Sequence, residues 1–580
     1  MAELRRLLIA NRGEIAVRII RACREMGIAP IVAVAPGDHA SMWAELADER
    51  AEVDSYLDGA GSVRAAVAAG ADAVHPGYGF LSEDPAFAEL VVDAGLRWVG
   101  PPPDAMRLLG DKAAARELAT QAGLPVVPGS GAAAGPSEDH ALLRAAEGLG
   151  TPLLVKAAAG GGGRGMRTVD DIADLGRALT AAREEAAAGF GDGRVFLERR
   201  LDGVRHVEVQ ILLDDHGHAV HLGERDCSLQ RRHQKLVEEA PSPAVTPELR
   251  TALGDAAVEI AERAGYRGAG TAEFLVGADG AWWFLEMNAR LQVEHPVTEA
   301  ATGIDLVRAQ LEIAAGSPLG FGQGDLETRG HAIEARVYAE DPANGFLPTG
   351  GRIALLELPR WPGVRIDTAL REGDDVGLGY DPLLAKVIAH AEDRASALVR
   401  LTAALAEVRI VGVATNLGFL LDVLAHPEVV EGTAGTDWVD RTWTARVPPL
   451  PDGVHAGRAR SDPWIAFGSA GTDATPRGVT VAGPHAQYRG WSYAVGDEDL
   501  VADQIPAPGG SLTAPMPASV LRVDARVGDA VEAGQVLALL EAMKIQVQVT
   551  APATGRVRAV HARPGDVVAR GEPLIELEEA

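Results

Sequence analysis

Two segments near the carboxyl end, 514–541 and 551–578, repeat each other, and this duplication restricts the fold of the tail more than any other feature of the chain restricts its surroundings. Pro515/Pro552, Val520/Val557, Val523/Val560, Gly528/Gly565, Asp529/Asp566, Val531/Val568, Gly534/Gly571 and Leu537/Leu574 all match at an offset of 37 residues. Each copy is rich in Val and Leu and punctuated by Gly-Asp and Gly turns, which predicts short strands. One copy alone cannot bury its apolar face, so the two should pack as halves of a flattened, pseudo-symmetric sandwich. Glu541-Ala542-Met543-Lys544 lies at the seam. A lone lysine on a hairpin is usually just solvated, but this one sits where the copies meet, and its counterpart one offset later would fall beyond the chain end.

The whole chain has 580 residues and 47% apolar content, enough for several domains with large cores. A formal charge of −28 argues against nucleic acid or an anionic membrane as the main partner. An anionic substrate would then need a locally basic site. Cys23 and Cys227 have no spacing that suggests a zinc site or a disulfide framework. No apolar run approaches a membrane span, and no export signal is evident, so the expected location is the cytoplasm.

The chain opens with a strand at 5–10, a helical pattern at Ile15, Ile19, Cys23 and Met26, and a second strand at 31–35. This βαβ start lacks Gly-x-Gly-x-x-Gly, so a dinucleotide fold is not indicated. A strand near 72–74, the loop from His75 to Glu83, a helix and a short strand ending at Val99 complete an α/β unit of about 110 residues. From 447 to 513 the helical period fades and Pro, Gly, Asp and Trp accumulate. The end of that stretch reads as a tether, and its earlier part as either a small docking element or an ordinary connector.

Leu153-Leu154-Val155-Lys156 leads into Ala157-Ala158-Ala159-Gly160-Gly161-Gly162-Gly163-Arg164-Gly165-Met166. Glycines let backbone N–H groups close on phosphate oxygens, and Lys156 adds a point charge. A surface loop is the plain alternative, and the flanking cations favour phosphate. Further on, Glu286, Asn288, Arg290, Gln292 and Glu294 alternate with apolar residues, so an extended segment would show them on one face. A two-residue turn at Asp279-Gly280 would pair Ala278 with Ala281 and place Glu273 opposite Glu286. Opposed carboxylates repel, and a divalent cation would convert that cost into binding, with Asn288 adding an oxygen. The basic stretch Glu224 to Lys235 is either a solvated patch or the anion site the acidic chain requires.

Together with His75 to Glu83, Arg290 to Thr298 and His331 to Arg336, these residues closely resemble the biotin carboxylase family of ATP-grasp enzymes over roughly residues 3–446, and the repeat around Ala542-Met543-Lys544 resembles a biotinyl domain. The combination is similar to the α subunit of an acyl-CoA carboxylase. The resemblance implies a multidomain α/β fold: an N-terminal α/β pre-ATP-grasp domain (1–112), an ATP-grasp domain (113–325) with a mobile lid at about 132–201, a biotin carboxylase C-terminal domain (326–446), a docking element and linker (447–510), and an all-β biotinyl, lipoyl-like sandwich (511–580).

It also implies a reaction and its cofactors: ATP, Mg²⁺ or Mn²⁺, and biotin covalently held on Lys544. ATP would activate bicarbonate as carboxyphosphate, which delivers CO₂ to the biotin ring. Lys112, Lys156 and His233 would hold phosphates, with Gly161, Gly162, Gly163 and Met166 closing over the nucleotide, while Glu198, Leu201, His206 and Gln230 would meet adenine or ribose. Glu273, Glu286 and Asn288 would hold the metal, and Lys235, Arg290, Gln292 and Val293 the bicarbonate. Glu294 would be the general base, Arg336 would stabilise the enolate-like oxygen of biotin, and Tyr78 would lie near the ring. The implied partners are a carboxyltransferase β subunit in a hetero-oligomer, within which the biotin carboxylase could itself form a dimer, and a biotin protein ligase. His331 to Pro342 and Gly379-Tyr380-Asp381-Pro382 lean toward 3-methylcrotonyl-CoA or propionyl-CoA as the acceptor. Alternatives are acetyl-CoA, a different ATP-grasp ligase joining a carboxylate to an amine, and a non-catalytic biotin carrier.

Overall fold

The computed structural model describes residues 4–159, 165–448, 479–482, 485–494, 511–514, 518–542, 545–568 and 572–579. The chain opens with a five-stranded parallel sheet in the order Glu49–Glu52, Ala29–Val34, Arg6–Ile9, Ala73–His75, Arg97–Trp98. Leu7, Leu8, Ile9, Ile31 and Val32 are fully buried, as expected for parallel strands covered on both faces. The order reverses at Arg6–Ile9, so the loops after that strand and after Ala73–His75 leave from the same edge, the usual place for a ligand crevice in such sheets. Asn11 ties the two loops together: its Nδ2 donates to the carbonyls of Pro76 (2.6 Å) and Tyr78 (2.8 Å). Gly77 permits this approach, because its φ is 65° and a Cβ there would lie 2.7 Å from the Asn11 amide.

The centre is an eight-stranded sheet in the order Trp282–Asn288, Gly268–Val276, Arg205–Leu213, Ala219–Arg231, Gln234–Ala240, His331–Tyr338, Leu383–Ala391, Val364–Thr368. The expected domain border at 325/326 does not interrupt it, since Val237–Ala240 pairs antiparallel with Ala332–Ala335. A separate three-stranded sheet, Arg167–Val169, Leu153–Ala157 and Val195–Arg199, packs with the helices Asp139–Leu149 and Leu175–Phe190 around its own core of Leu142, Val155, Leu175, Leu179 and Leu197. That independent core is what a lid moving as one body would need.

Two expectations about the metal strand need correction. The hairpin is not closed by a two-residue turn: Gly277 N–H donates to the Ala281 carbonyl, and Val276 pairs with Trp282. A bulge between Phe274 and Glu273 then shifts the register by one residue and restores Glu273 opposite Glu286. The alternation from Glu286 to Glu294 is also not one strand. It ends at Asn288, and the chain turns through 289–294 into the helix His295–Thr302, whose first turn holds Pro296. Proline is well placed there but cannot donate to a sheet ladder.

Within 447–510 the described part is a three-stranded meander, Val479–Ala482, His485–Tyr488 and Trp491–Ala494, seated on the body rather than being a bare connector. Trp491 lies over Gly418, where a Cβ would come within 2.5 Å of the indole, and Gln487 Oε1 accepts from Ile410 N–H. The tail forms two four-stranded sheets, Ser511–Thr513, Pro573–Glu579, Gly555–Val560, Ala530–Val531 and Ile545–Thr550, Val536–Ala542, Ala518–Val523, Val567–Val568. Matching positions of the repeat occupy matching places in the two sheets. Val520, Leu537, Val557 and Leu574 share its core.

Candidate active site

Lys235 is the hub of the site. Its strand pairs with Ala219–Arg231, with Gln230 opposite Lys235, and the hairpin tip consists of Arg232 and His233 with φ of 47° and 66°. Two non-glycine residues in left-handed conformations make a tight turn at a local cost. From this hairpin the Lys235 ammonium donates to Glu208 (2.5 Å), Glu294 (2.7 Å) and Glu273 (3.0 Å). Its three N–H groups are thus matched to three carboxylates. Burial alone would weaken the ammonium, but Glu208, Glu273 and Glu294 together hold its pKa well above the usual lysine range.

Glu294 bridges two cations. One oxygen accepts from Lys235, and the other lies 2.9 Å from the Arg336 guanidinium. Burial favours the neutral acid, but Lys235, then Arg336 and Arg225, hold Glu294 well below the ordinary carboxylate range. Its two cationic neighbours therefore favour the carboxylate form. Arg336 is also anchored through Nε to Glu238 at 2.6 Å, and Asn416 fixes its strand by accepting from Tyr338 N–H and donating to the Arg336 carbonyl. Beside this centre Arg225, fully buried, pairs with Glu208 and donates to Gln210, Thr271 and Thr298.

The structure brings the expected metal residues together. Glu273 and Glu286 are directly opposed, and Asn288 Nδ2 donates to Glu273 at 2.9 Å. Each carboxylate is matched by cations: Lys112 pairs with Glu286, while His206 (2.9 Å) and Lys235 pair with Glu273. Burial lowers the His206 pKa, but Glu273 more than offsets it and the net shift is upward. The Asn288 amide presents nitrogen to Glu273 and oxygen to Arg290 (3.3 Å), so it would have to turn over to serve as an oxygen ligand. An all-oxygen set of two carboxylates and one amide suits Mg²⁺ completed by phosphates and water.

Toward the three-stranded sheet, Asp111 caps the helix Lys112–Gln121 by accepting from Ala113 and Ala114, which leaves Lys112 at the first helical position, paired with Glu286. Lys156 pairs with Glu198, whose carboxylate also pairs with Arg116. The Glu198 carboxylate is thus shared between two cations. Leu201 follows the strand Val195–Arg199 and is half-buried, Gln230 is buried and His233 is exposed. Met166 lies on the chain leaving the glycine loop, just before Arg167–Val169. Gly161, Gly162, Gly163 and Lys544 lie outside the described residues, although Ala542 pairs with Ile545 across the latter.

Arg290 is held by Glu83 (3.1 Å), Gln292 (2.9 Å) and the Leu291 carbonyl (3.3 Å), and the Val293 carbonyl accepts from Lys386 (2.9 Å). Gln292 Nε2 and Tyr78 OH are buried without a hydrogen-bond partner among the described residues. Such orphaned groups are costly unless something fills them, and bicarbonate and a ureido ring offer the acceptors they lack. The residues present therefore fit ATP with Mg²⁺, bicarbonate and biotin. Sequence reasoning missed Glu208, Arg225, Glu238 and Arg116. The first had a visible signal, since His206, Glu208 and Gln210 alternate with Val207, Val209 and Ile211.

Comparison with known proteins gives four family matches: "Biotin carboxylase, N-terminal domain" at 3–106, "Carbamoyl-phosphate synthase L chain, ATP binding domain" at 111–321, "Biotin carboxylase C-terminal domain" at 334–441 and "Biotin-requiring enzyme" at 504–577. The biotin carboxylase of Nostoc sp. is 46% identical over 440 residues, 75% of this chain and 98% of that protein. The mitochondrial methylcrotonoyl-CoA carboxylase subunit alpha of Mus musculus is 44% identical over 444 residues, 75% of this chain but only 62% of its own length. Among solved structures, the biotin carboxylase domain dimer of Hydrogenobacter thermophilus 2-oxoglutarate carboxylase, bound to MgADP, ADP and bicarbonate, matches with a TM-score of 0.74 at 41% identity, covering 76% of this chain and 98% of that one. The biotin carboxylase of Campylobacter jejuni gives 0.74 at 40% identity, with 76% and 99% covered.

Proposed function

The chain belongs to the biotin carboxylase family and catalyses ATP-dependent carboxylation of biotin, and on that premise we propose that the pocket around Lys235, Glu294 and Arg336 performs this step for an acyl-CoA carboxylase of which this is the α subunit. ATP with Mg²⁺ supplies the phosphoryl group that activates bicarbonate, and biotin supplies the ureido nitrogen that accepts CO₂. Lys235, Arg290 and Gln292 seat the bicarbonate, with the Val293 main chain fixed by Lys386. Glu294 takes the bicarbonate proton, returns it to the phosphate freed when carboxyphosphate gives up CO₂, and is then able to take the proton lost from biotin. As the substrates enter, N–H groups of Lys235 and Arg336 turn to them and away from Glu294, which raises its basicity toward the range a general base needs. Arg336 then holds the ureido oxygen as charge develops on it. Glu273, Glu286 and a turned Asn288 hold the metal, and Lys112, Lys156 and His233 the phosphates. Gly161, Gly162, Gly163 and Met166 close over the nucleotide, with Leu201, His206, Gln230 and the main chain of Glu198 around the base and ribose. Tyr78 lines the ring site.

The observation that carries this reading is Glu294, shared between Lys235 and Arg336, which joins the proposed bicarbonate and biotin sites through one base. We assign residues 1–112, 113–325, 326–446, 447–510 and 511–580 to the five functional units, with the lid at about 132–201. The prosthetic biotin sits on Lys544, placed there by a biotin protein ligase. A carboxyltransferase β subunit takes the carboxyl group, with 3-methylcrotonyl-CoA or propionyl-CoA as the acceptor; the methylcrotonoyl relatives support the first. The test has two arms. Purified Lys544→Arg protein, which carries no biotin of its own, should release ADP from ATP, Mg²⁺ and bicarbonate only when free biotin is also present, and equal ADP release with and without biotin would refute the assignment. Capture on avidin should bring down a carboxyltransferase, whose acyl-CoA preference settles the acceptor; Lys544→Arg should abolish that capture.

A further inference from the structure

Behind Arg336 lies a pair of carboxylates that the mechanism does not use. Glu238 and Glu334 are directly opposed on the antiparallel strands Gln234–Ala240 and His331–Tyr338, so their side chains project from the same face. Both are fully buried. Val297 and Ala301 of the helix His295–Thr302 pack against Ala240, Ala332 and Ile388, the neighbours of the pair on that face, which seals it from water. Glu238 gives one oxygen to Arg336, while its second oxygen and both oxygens of Glu334 have no hydrogen-bond partner among the described residues. The charged groups around them are Arg336, Glu294 and Lys235 on one side and Lys386 on the other, and Lys386 is already shared with Glu14, Asp367 and the Val293 carbonyl. His295 heads the covering helix, its buried Nε2 without a hydrogen-bond partner among the described residues and 3.9 Å from a Glu299 oxygen. Two buried anions facing each other with three acceptor atoms unfilled would be expensive. A single proton between them removes one charge and satisfies two of those atoms.

We propose that Glu238 and Glu334 share one proton and, as a hydrogen-bonded acid and carboxylate, position Arg336 against Glu294. The proton resides on Glu334 and points at the free oxygen of Glu238, whose other oxygen stays charged for Arg336. Burial supports this sharing: it pushes Glu238 up to about 7 against the pull of Arg336, and Glu334 well above its ordinary value against the pull of Lys386. Glu238 is among the groups that raise Glu334, so the two titrations are linked. Losing the shared proton at alkaline pH would leave two opposed anions beside one guanidinium, draw Arg336 toward them and away from Glu294, and cost biotin carboxylation. Glu238 and Glu334 are thus positioning residues, and their role rests on Arg336 acting on biotin as proposed above.

The test combines infrared spectroscopy with kinetics on the full-length protein. At pH 7.5 the wild type should show the carbonyl stretch of a buried protonated carboxyl group that is lost in Glu334→Gln. The value of kcat for free biotin should fall on the alkaline side by up to about tenfold per pH unit, and Glu334→Gln should shift or abolish that limb while leaving the KM for ATP in place. If Glu334→Gln does not fold, Glu238→Gln replaces it: the carboxyl stretch should then shift in frequency as its acceptor changes from a carboxylate to an amide, and the alkaline limb should move. Absence of the protonated signal overturns proton sharing, and an alkaline limb unmoved by the variant overturns the positioning role. Arg336→Lys separates this from the underlying reading: full activity in that variant would refute the role of Arg336 on biotin while the infrared signal would stand.

Discussion

Replacing Glu294 by Gln keeps the shape of the site and removes one charge. In the native site one oxygen accepts from Lys235 at 2.7 Å and the other lies 2.9 Å from Arg336. Glutamine has one acceptor oxygen, so one of these cations would face an N–H₂ group. Losing one hydrogen bond to a charged group costs about 1.5–3 kcal/mol. The cost stays at that level because Lys235 keeps Glu208 and Glu273, and Arg336 keeps Glu238. Melting should therefore fall by roughly 3–12 °C, taking about 2–4 °C per kcal/mol, with the fold intact. Activity should fall much further, because loss of a positioned general base typically costs about 10²–10⁴ in rate, or roughly 3–5 kcal/mol of barrier. The assay is coupled ADP release with saturating bicarbonate and free biotin, alongside an ATP-binding titration that should be little changed. If Glu294→Gln keeps kcat within about tenfold of wild type, a base at this position is refuted.

Other perturbations act on separate parts of the molecule. Lys112→Ala removes the cation paired with Glu286 and should raise the KM for ATP about 10- to 100-fold, the worth of one charge-assisted phosphate contact, with free-biotin affinity unchanged in steady-state kinetics. Gly418→Ala places a methyl within 2.5 Å of the Trp491 indole and should destabilise the chain by about 1–3 kcal/mol, with a red shift in tryptophan fluorescence as the meander lifts. Asp214 is buried, which favours its neutral form, yet it accepts from the main-chain N–H groups of Leu319, His218 and His216 and from the His218 ring, and these hold it at about 2. Because its folded value lies below its unfolded one, the stability it contributes is complete above about pH 4 and lost as pH falls through 2. Thermal unfolding of Asp214→Asn should accordingly show a flatter pH dependence between those limits.

Much of this architecture is visible in local patterns, and the parts that are not share a cause. The parallel sheet is legible because apolar runs alternate with helical periodicity, and the tail because its two copies must bury the same face. The glycine loop and the basic hairpin announce themselves by composition. The pairing of Glu273 with Glu286 was reached through a turn one residue out of place, and only the bulge beyond Phe274 makes it correct; bulges leave no mark that residue counting can detect. The alternation through Arg290, Gln292 and Glu294 resembles a strand, but Pro296 starts a helix that ends it. Glu208, Arg225 and Glu238 were hidden because their importance lies in convergence: they come from three strands and meet only once the sheet has formed. Glu334 reads as one more polar residue until its neighbour across the ladder is also found to be an acid.

The anchoring of Val479–Ala494 through Trp491 sets an upper bound on how far the tail can stand from the body. Sixteen residues, 495–510, separate that anchor from the first strand of the tail, and covalent geometry limits their span to roughly 55–60 Å. If the tail serves a second site as proposed, that site must lie within this span plus the tail's own reach from Ser511 to Lys544, measured from Ala494, which makes the quaternary arrangement a matter of distance before it is one of affinity.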